Sequence, residues 1–272
     1  VRRRLLITLA VVAAASTALT ACGGSSAGTS SSASGAAAAG GSSSESGSLT
    51  GQITVLAAAS LTGSFGTLGK QFEAAHPGAK VVFSFGASST LATQITQGAP
   101  ADVFASASVK NMTQVVTAKS AADPTTFAKN VMEIAVPPAN PARITQVSDL
   151  AKPGVKVVLC APAVPCGSTA RQVFTNAKVA VTPVSNEVDV KSTLSKVQLG
   201  EADAGVVYVT DVLAAGGKVR GITIPANVNA STSYPIATLT ASKNPQLAKA
   251  FVDYVLSPDG ATVLTEAGFE KP

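Results

Sequence analysis

The chain has 272 residues, and the part after Gly51 is long enough for one large or two small domains with a proper buried core. Its formal charge of +5 includes Arg2, Arg3 and Arg4; without them 17 Lys+Arg face 15 Asp+Glu, or +2, and no basic run is interleaved with aromatics, which argues against nucleic acid as a partner. A single histidine and the lack of an acidic cluster likewise argue against a metal-cation site or a metal enzyme.

The three arginines lead into an apolar run, Leu5 to Ala15, and then to Leu19-Thr20-Ala21-Cys22. A positive start, a short apolar stretch and small residues before a cleavage point predict an export signal over residues 1–22. The run is too short for a confident membrane span. Leu-Thr-Ala-Cys resembles the lipobox of bacterial lipoproteins, which implies that Cys22 becomes the lipid-bearing first residue of the mature protein. The other reading is a plain secreted protein with an incidental cysteine. Residues 23–50 are almost wholly Gly, Ser, Ala and Thr, with Glu45 the only charge, and predict a flexible tether.

Ile53 to Ala58 reads as a buried strand, and Leu61, Phe65, Leu68 and Phe72 follow at the spacing of one helical face, with Ser60 as the cap. Val81, Val82, Phe83 and Phe85 predict a second buried strand ended by Gly86. Ser88, Ser89 and Thr90 then offer hydroxyls at an N-cap, Leu91 and Ile95 form an apolar face, and Gly98 stops the helix. Val103 to Ala105 start the next strand. Both strand-to-helix junctions are neutral, carry hydroxyls and lie at the C-terminal end of a strand, where open α/β sheets bind ligands. Free N–H groups and the positive helix end make such a place an anion site without Lys or Arg. An ordinary serine cap is the plainer alternative.

Further on, Ser108 to Thr117 reads as a helix and Val131 to Val136 as a strand ended by Pro137-Pro138. Val155 to Cys160 is a strand, Ala161 to Gly167 a loop, and Ser168 to Ala177 a helix. After Val179 to Val184, a helix with Val190, Leu194 and Val197 on one face stops at Gly200. Ala204 to Val209, Val219 to Ile224 and Tyr234 to Thr240 read as strands. A helix from Pro245 with Leu247, Phe251 and Val255 on one face, and a short one over residues 259–267, close the chain. Alternating strands and helices predict an α/β protein with mostly parallel sheets.

AAASL (Ala57 to Leu61), FGASSTLATQI, GAPADVFASA and GVVYVTD (Gly205 to Asp211) together resemble the periplasmic molybdate-binding proteins that feed ABC transporters, and the likeness extends from Ile53 to Phe269. The resemblance implies the two-lobed periplasmic binding protein type II fold with a hinge. Lobe I would be residues 51–130 plus 234–272, and lobe II residues 131–233. It also implies the site. Ser60 and Ser88 would hold the oxyanion from one lobe, with Ser89 a substitute for Ser88. From the other would come the main-chain N–H groups of Cys166, where alanine is usual, and Val190, with the hydroxyl of Tyr208. Ser60, Ser88, Cys166 and Val190 each fall at or just before a predicted helix start, so four positive ends can converge on one dianion.

None of the five positions is acidic. Neutral donors suit a fully ionised tetrahedral ion such as molybdate, tungstate or sulfate, whereas phosphate keeps a proton that needs an acceptor. With Cys22 taken by lipid, Cys160 and Cys166 remain as an even pair in an exported, oxidising context, and a disulfide is expected. The whole then reads as a lipid-anchored, extracytoplasmic, monomeric receptor. It would capture molybdate, and also tungstate, for an ABC permease, with no cofactor and no chemistry on the ligand. The alternatives are a receptor for another oxyanion such as sulfate, an adhesive surface lipoprotein, or a secreted serine hydrolase. The last would have to use His76 and lacks a Gly-x-Ser-x-Gly elbow.

Overall fold

The structure, a computed structural model, describes residues 49–272; the expected signal, Cys22 and all but the last two residues of the expected tether lie outside the described residues. Those two already belong to the folded body. Leu49 packs on the core and Thr50 O accepts from Asn244 Nδ2 at 3.3 Å.

The chain opens with β1 (Gly51–Ala58), α1 (Thr62–Ala75), β2 (Ala79–Gly86), α2 (Ser88–Thr96), β3 (Val103–Ala105) and α3 (Val109–Thr117). β1 pairs in parallel with β2 on one side and β3 on the other. Helices cover both faces, which is why a β1 of Ile, Val, Leu and Ala is apolar without alternation. Ile53 and Val55 meet Leu61, Phe65, Leu68 and Phe72 beneath one face. Leu56 and Phe104 meet Leu91, Ile95 and Met112 on the other. β2 differs from the expectation of a buried strand. It is the outermost strand of the sheet, and Val82 is 38% exposed there.

β4 (Thr125–Val136) follows, then β5 (Val157–Cys160), α4 (Pro165–Ala177), β6 (Ser185–Glu187), α5 (Val190–Gln198), β7 (Ala204–Tyr208), α6 (Val209–Ala215), β8 (Arg220–Thr223), β9 (Ser231–Thr238), α7 (Pro245–Leu256) and α8 (Pro258–Glu266). The second core gathers Val157, Val158, Leu159, Val173, Leu194, Val197, Val206 and Val207. The strands run in the order β2-β1-β3-β9-β4-β7-β5-β6, with β8 also on β4. Parallel pairing is confined to β2-β1-β3 and β7-β5-β6; every pair involving β4 or β9 is antiparallel.

β4 is twice the expected length. Residues Thr125 to Val131 pair with β9, and from Met132 onward the same strand pairs with β7 and β8, so one strand passes from the first core to the second. Its first half, with Thr125, Thr126, Lys129 and Asn130, has no apolar alternation; pairing with a partner about a hundred residues away makes it a strand. α4 starts three residues early, because Pro165 occupies the first helical turn, where its missing N–H costs nothing. Residues 179–184 form no strand, and α6 replaces the expected end of β7 at Val209. The closing helices fall where the sequence places them, and Phe251 of α7 meets Phe72 edge to face at 5.4 Å.

Asp102 ties three segments together. Its Oδ2 accepts from Thr54 N–H at 2.7 Å, and its Oδ1 accepts from Ser242 Oγ at 2.6 Å and Lys243 N–H at 3.2 Å. Replacing Asp102 with Ala leaves these donors without their carboxylate and is expected to lower stability by about 2 kcal/mol in urea denaturation; an unchanged midpoint would show that water replaces the carboxylate without loss.

Candidate functional site

The C-terminal ends of β1 and β2 and the starts of α2, α4 and α5 face one small cavity of ≈ 20 Å³ as swept by the centre of a water-sized sphere. Ser60, Ser88, Cys166, Val190 and Tyr208 all line it. The structure thus brings together the five residues singled out by sequence; Ser89, the substitute, is not among the lining residues. A space of this size suits a small ion and not an organic molecule.

Each position has a local cause. Ser60 sits in a single 3-10 turn (Ala59–Leu61) that leads into α1 and is 6% exposed. It does not cap the helix, contrary to expectation; its Oγ bonds with Tyr234 Oη at 2.9 Å. Ser88 is the first residue of α2, and Ala87 holds the cap position without a side-chain bond. Ser88 Oγ accepts instead from Ala107 N–H at 2.9 Å, which pins the helix start to the segment after β3. Both serines are thereby released from capping, and the first-turn N–H groups have no carbonyl within their own helix.

Cys166 is the second residue of α4, and a disulfide joins it to Cys160 at the end of β5, with Cα atoms 5.8 Å apart. Its sulfur is therefore committed and only its main chain is available to a ligand. Gly167 follows because α4 rests directly on the chain it has just left: a Cβ there would overlap the carbonyl oxygens of Cys160 and Ala161. Val190 opens α5, whose cap residue Asp189 accepts from Ser192 N–H at 2.8 Å.

Tyr208 ends β7 and is 1% exposed, yet its hydroxyl has no hydrogen-bond partner. Asp211 Oδ2 accepts from Tyr208 N–H at 3.2 Å and holds the turn into α6. Asp211 is fully buried, and burial pushes its carboxyl upward against the opposing pull of Lys191, whose Nζ lies 2.8 Å from Oδ1. Charge is thus present beside the site, which sequence reasoning missed, but each group is engaged: Asp189 by the start of α5, Lys191 by Asp211. The signal lay in Asp189-Val190-Lys191 and in Asp211, three residues after Tyr208. Tyr234, Asn130 and Thr210 were missed as well. Asn130 Nδ2 donates to Thr210 Oγ1 at 2.8 Å and approaches Tyr234 Oη at 3.5 Å, so the chain of contacts from Ser60 reaches α6.

A family model for bacterial extracellular solute-binding proteins matches residues 53–270. The molybdate-binding protein ModA of Mycobacterium tuberculosis is 45% identical over 221 residues, covering 81% of this chain and 85% of the relative. This chain belongs to the ModA family. ModA of Escherichia coli is 34% identical over 230 residues, covering 80% of this chain and 89% of that protein. Among solved structures, the periplasmic molybdate-binding protein of Azotobacter vinelandii matches with a TM-score of 0.73 at 23% identity, over 81% of this chain and 99% of that one. The sulfate-binding protein SubI of M. tuberculosis matches at 0.74 and 19% identity, over 81% and 86%. Both share the fold. The resemblance read from AAASL, FGASSTLATQI and GVVYVTD is borne out, and with it the two-lobed α/β fold of periplasmic binding proteins.

The geometry keeps His76 away from both serines. Ser60 precedes α1 and His76 caps its far end, so about 20 Å of helix separates them. β2, about 25 Å long, lies between His76 and Ser88.

Two outcomes follow from this geometry. Gly167→Ala is expected to cost about 1–3 kcal/mol in thermal or urea unfolding, because the new methyl must displace backbone rather than a movable side chain. Burial raises the hydroxyls of both Tyr208 and Tyr234 above the ordinary value near 10; Tyr234 is opposed by its bond to Ser60, and the negative charge of Asp211 adds to both shifts. The folded state then keeps protons that the unfolded chain releases. Their contribution to stability is complete below about pH 10 and is lost as pH rises from there toward the folded values. Denaturation midpoints should hold up to about pH 10 and fall above it, and replacing both tyrosines with Phe should flatten that fall.

Proposed function

We propose that this chain captures molybdate, and tungstate as a second ligand, and delivers the bound oxyanion to an ABC permease. The observation that carries the reading is the buried, unpartnered hydroxyl of Tyr208 on a cavity ringed by two serine hydroxyls and three helix starts, with no Lys or Arg among the lining residues and the Asp189 carboxylate held as the cap of α5. An orphaned buried hydroxyl is costly unless a ligand completes it. A tetrahedral dianion does so: it brings acceptors only, and the positive helix ends supply the field that a Lys or Arg would otherwise supply. Ser60, Ser88 and Tyr208 act as hydroxyl donors and the starts of α4 and α5 as main-chain donors at Cys166 and Val190. No bond of the ligand is made or broken. No cofactor and no metal cation enter this reading, which takes the chain as a monomer.

The likeness to proteins named as molybdate-binding supports the ligand, and membership of an extracellular solute-binding family supports work outside the cytoplasm. Among the described residues no helix is long and apolar enough to cross a membrane. The lipobox-like Leu19-Thr20-Ala21-Cys22 supports attachment through a lipid on Cys22, and the Gly/Ser/Ala stretch a tether that leaves the body free to meet its permease.

Calorimetric titration of residues 48–272 with molybdate, tungstate, sulfate and phosphate tests the reading. Molybdate and tungstate should bind tightly, sulfate and phosphate far more weakly, and Tyr208→Phe should weaken molybdate about tenfold, the worth of one hydrogen bond to a charged group. Preference for sulfate would replace the ligand and leave the fold; silence toward all four ions would overturn the function.

A further inference from the structure

The bond between Ser60 Oγ and Tyr234 Oη can run in either direction, and the direction matters to a ligand. A hydroxyl has one proton to give. If Ser60 spends it on Tyr234, Ser60 meets the ligand only as an acceptor; if Tyr234 donates, the proton of Ser60 is left for the ligand.

Asn130 decides between the two. Its Oδ1 accepts from Val131 N–H at 3.0 Å, which turns the amide nitrogen the other way, toward Thr210 Oγ1 at 2.8 Å and Tyr234 Oη at 3.5 Å. An amide nitrogen accepts nothing. Tyr208, whose ring centroid is 6.2 Å from that of Tyr234, forms no hydrogen bond with it. The proton of Tyr234 is left with Ser60 Oγ as its acceptor.

We propose that Tyr234 and Asn130 are positioning residues that set the proton polarity of the site: they hold Ser60 as a donor to the ligand and so select fully ionised oxyanions over those that carry a proton. The inference rests on the oxyanion-binding reading above. Ser88 has the same polarity by a separate device, since its oxygen already accepts from Ala107 N–H and its proton remains free. A ligand O–H directed at Ser60 or Ser88 meets a donor there and stays unsatisfied, which is costly in a buried place.

Sulfate and phosphate separate this from size, being nearly equal in size while only phosphate is protonated at pH 6. Displacement of bound molybdate at that pH should be at least about tenfold more effective with sulfate than with phosphate. Tyr234→Phe removes the donor to Ser60, and Asn130→Asp puts an acceptor where the amide nitrogen stood, so that Tyr234 can donate away from Ser60. Each should weaken molybdate about tenfold and shrink the sulfate-to-phosphate ratio severalfold. Tyr254→Phe, which removes a hydroxyl bonded to Gln71 near the surface, should change neither.

Wild-type protein displaced equally well by the two ions overturns the proposal without any variant. So do variants that keep the wild-type affinity and ratio, or that lose affinity for all ions alike with the ratio unchanged, which is what a merely structural role would do. A wild-type chain that binds no molybdate at all is instead a failure of the function itself, and the titration of the unmodified protein separates the two.

Discussion

The antiparallel pairing of β4 with β9 is the contact on which the rest of this molecule depends. Each core could form around its own parallel strands, but a site made of strand ends from one core and helix starts from the other exists only if the two are held face to face. β4 does this by being one strand in both, paired with β9 through Val131 and with β7 and β8 from Met132. Asn130, at the point of passage, is 1% exposed and spends its side chain on both directions: toward Val131 N–H in its own strand and toward Thr210 in α6.

The second constraint is electrostatic. A dry cavity for a dianion works poorly with a free cation, which would bind many anions alike, and fails with a free anion. Here the one nearby cation is already taken before a ligand arrives. Lys191 stands against the buried Asp211, and Asp189 closes the start of α5. Toward the cavity stand the backbone dipoles of the helix starts, the hydroxyls of Ser60 and Ser88, whose oxygens are already engaged, and the unpartnered hydroxyl of Tyr208. Such donors cost little reorganisation on binding, because packing has already placed them. The disulfide serves the same end. It ties the first turn of α4 to the end of β5, and Gly167 lets that turn lie against the strand it left.

Much of this was legible in the residues, for reasons that can be named. Strands and helices with strong apolar periodicity, such as Ile53 to Ala58 and the Leu61, Phe65, Leu68 and Phe72 face, declare themselves locally. Ser60 and Ser88 were legible because their strand-to-helix junctions are short, neutral and carry hydroxyls; Cys166, Val190 and Tyr208 were placed by the family resemblance and not by any local pattern. The serines were misjudged in one respect. A serine at a helix start looks like a cap, and only the positions of Tyr234 and Ala107, distant in sequence, turn Ser60 and Ser88 away from that role. The first half of β4 and the beginning of β9 were missed for the same reason, since their residues carry no strand signal apart from each other.

The sequence by itself determined the α/β class, the alternation of strands and helices, the neutral, hydroxyl-bearing junctions at Ser60 and Ser88 and the pairing of two cysteines, because each follows from local periodicity, residue chemistry or a count. Tertiary structure alone decided where β4 crosses, which hydroxyl bonds to which, and that Lys191 pairs with the buried Asp211. Those are relations between residues up to 174 positions apart, and hydrogen-bond direction and ion pairing depend on distances of a few tenths of an ångström that no local pattern carries.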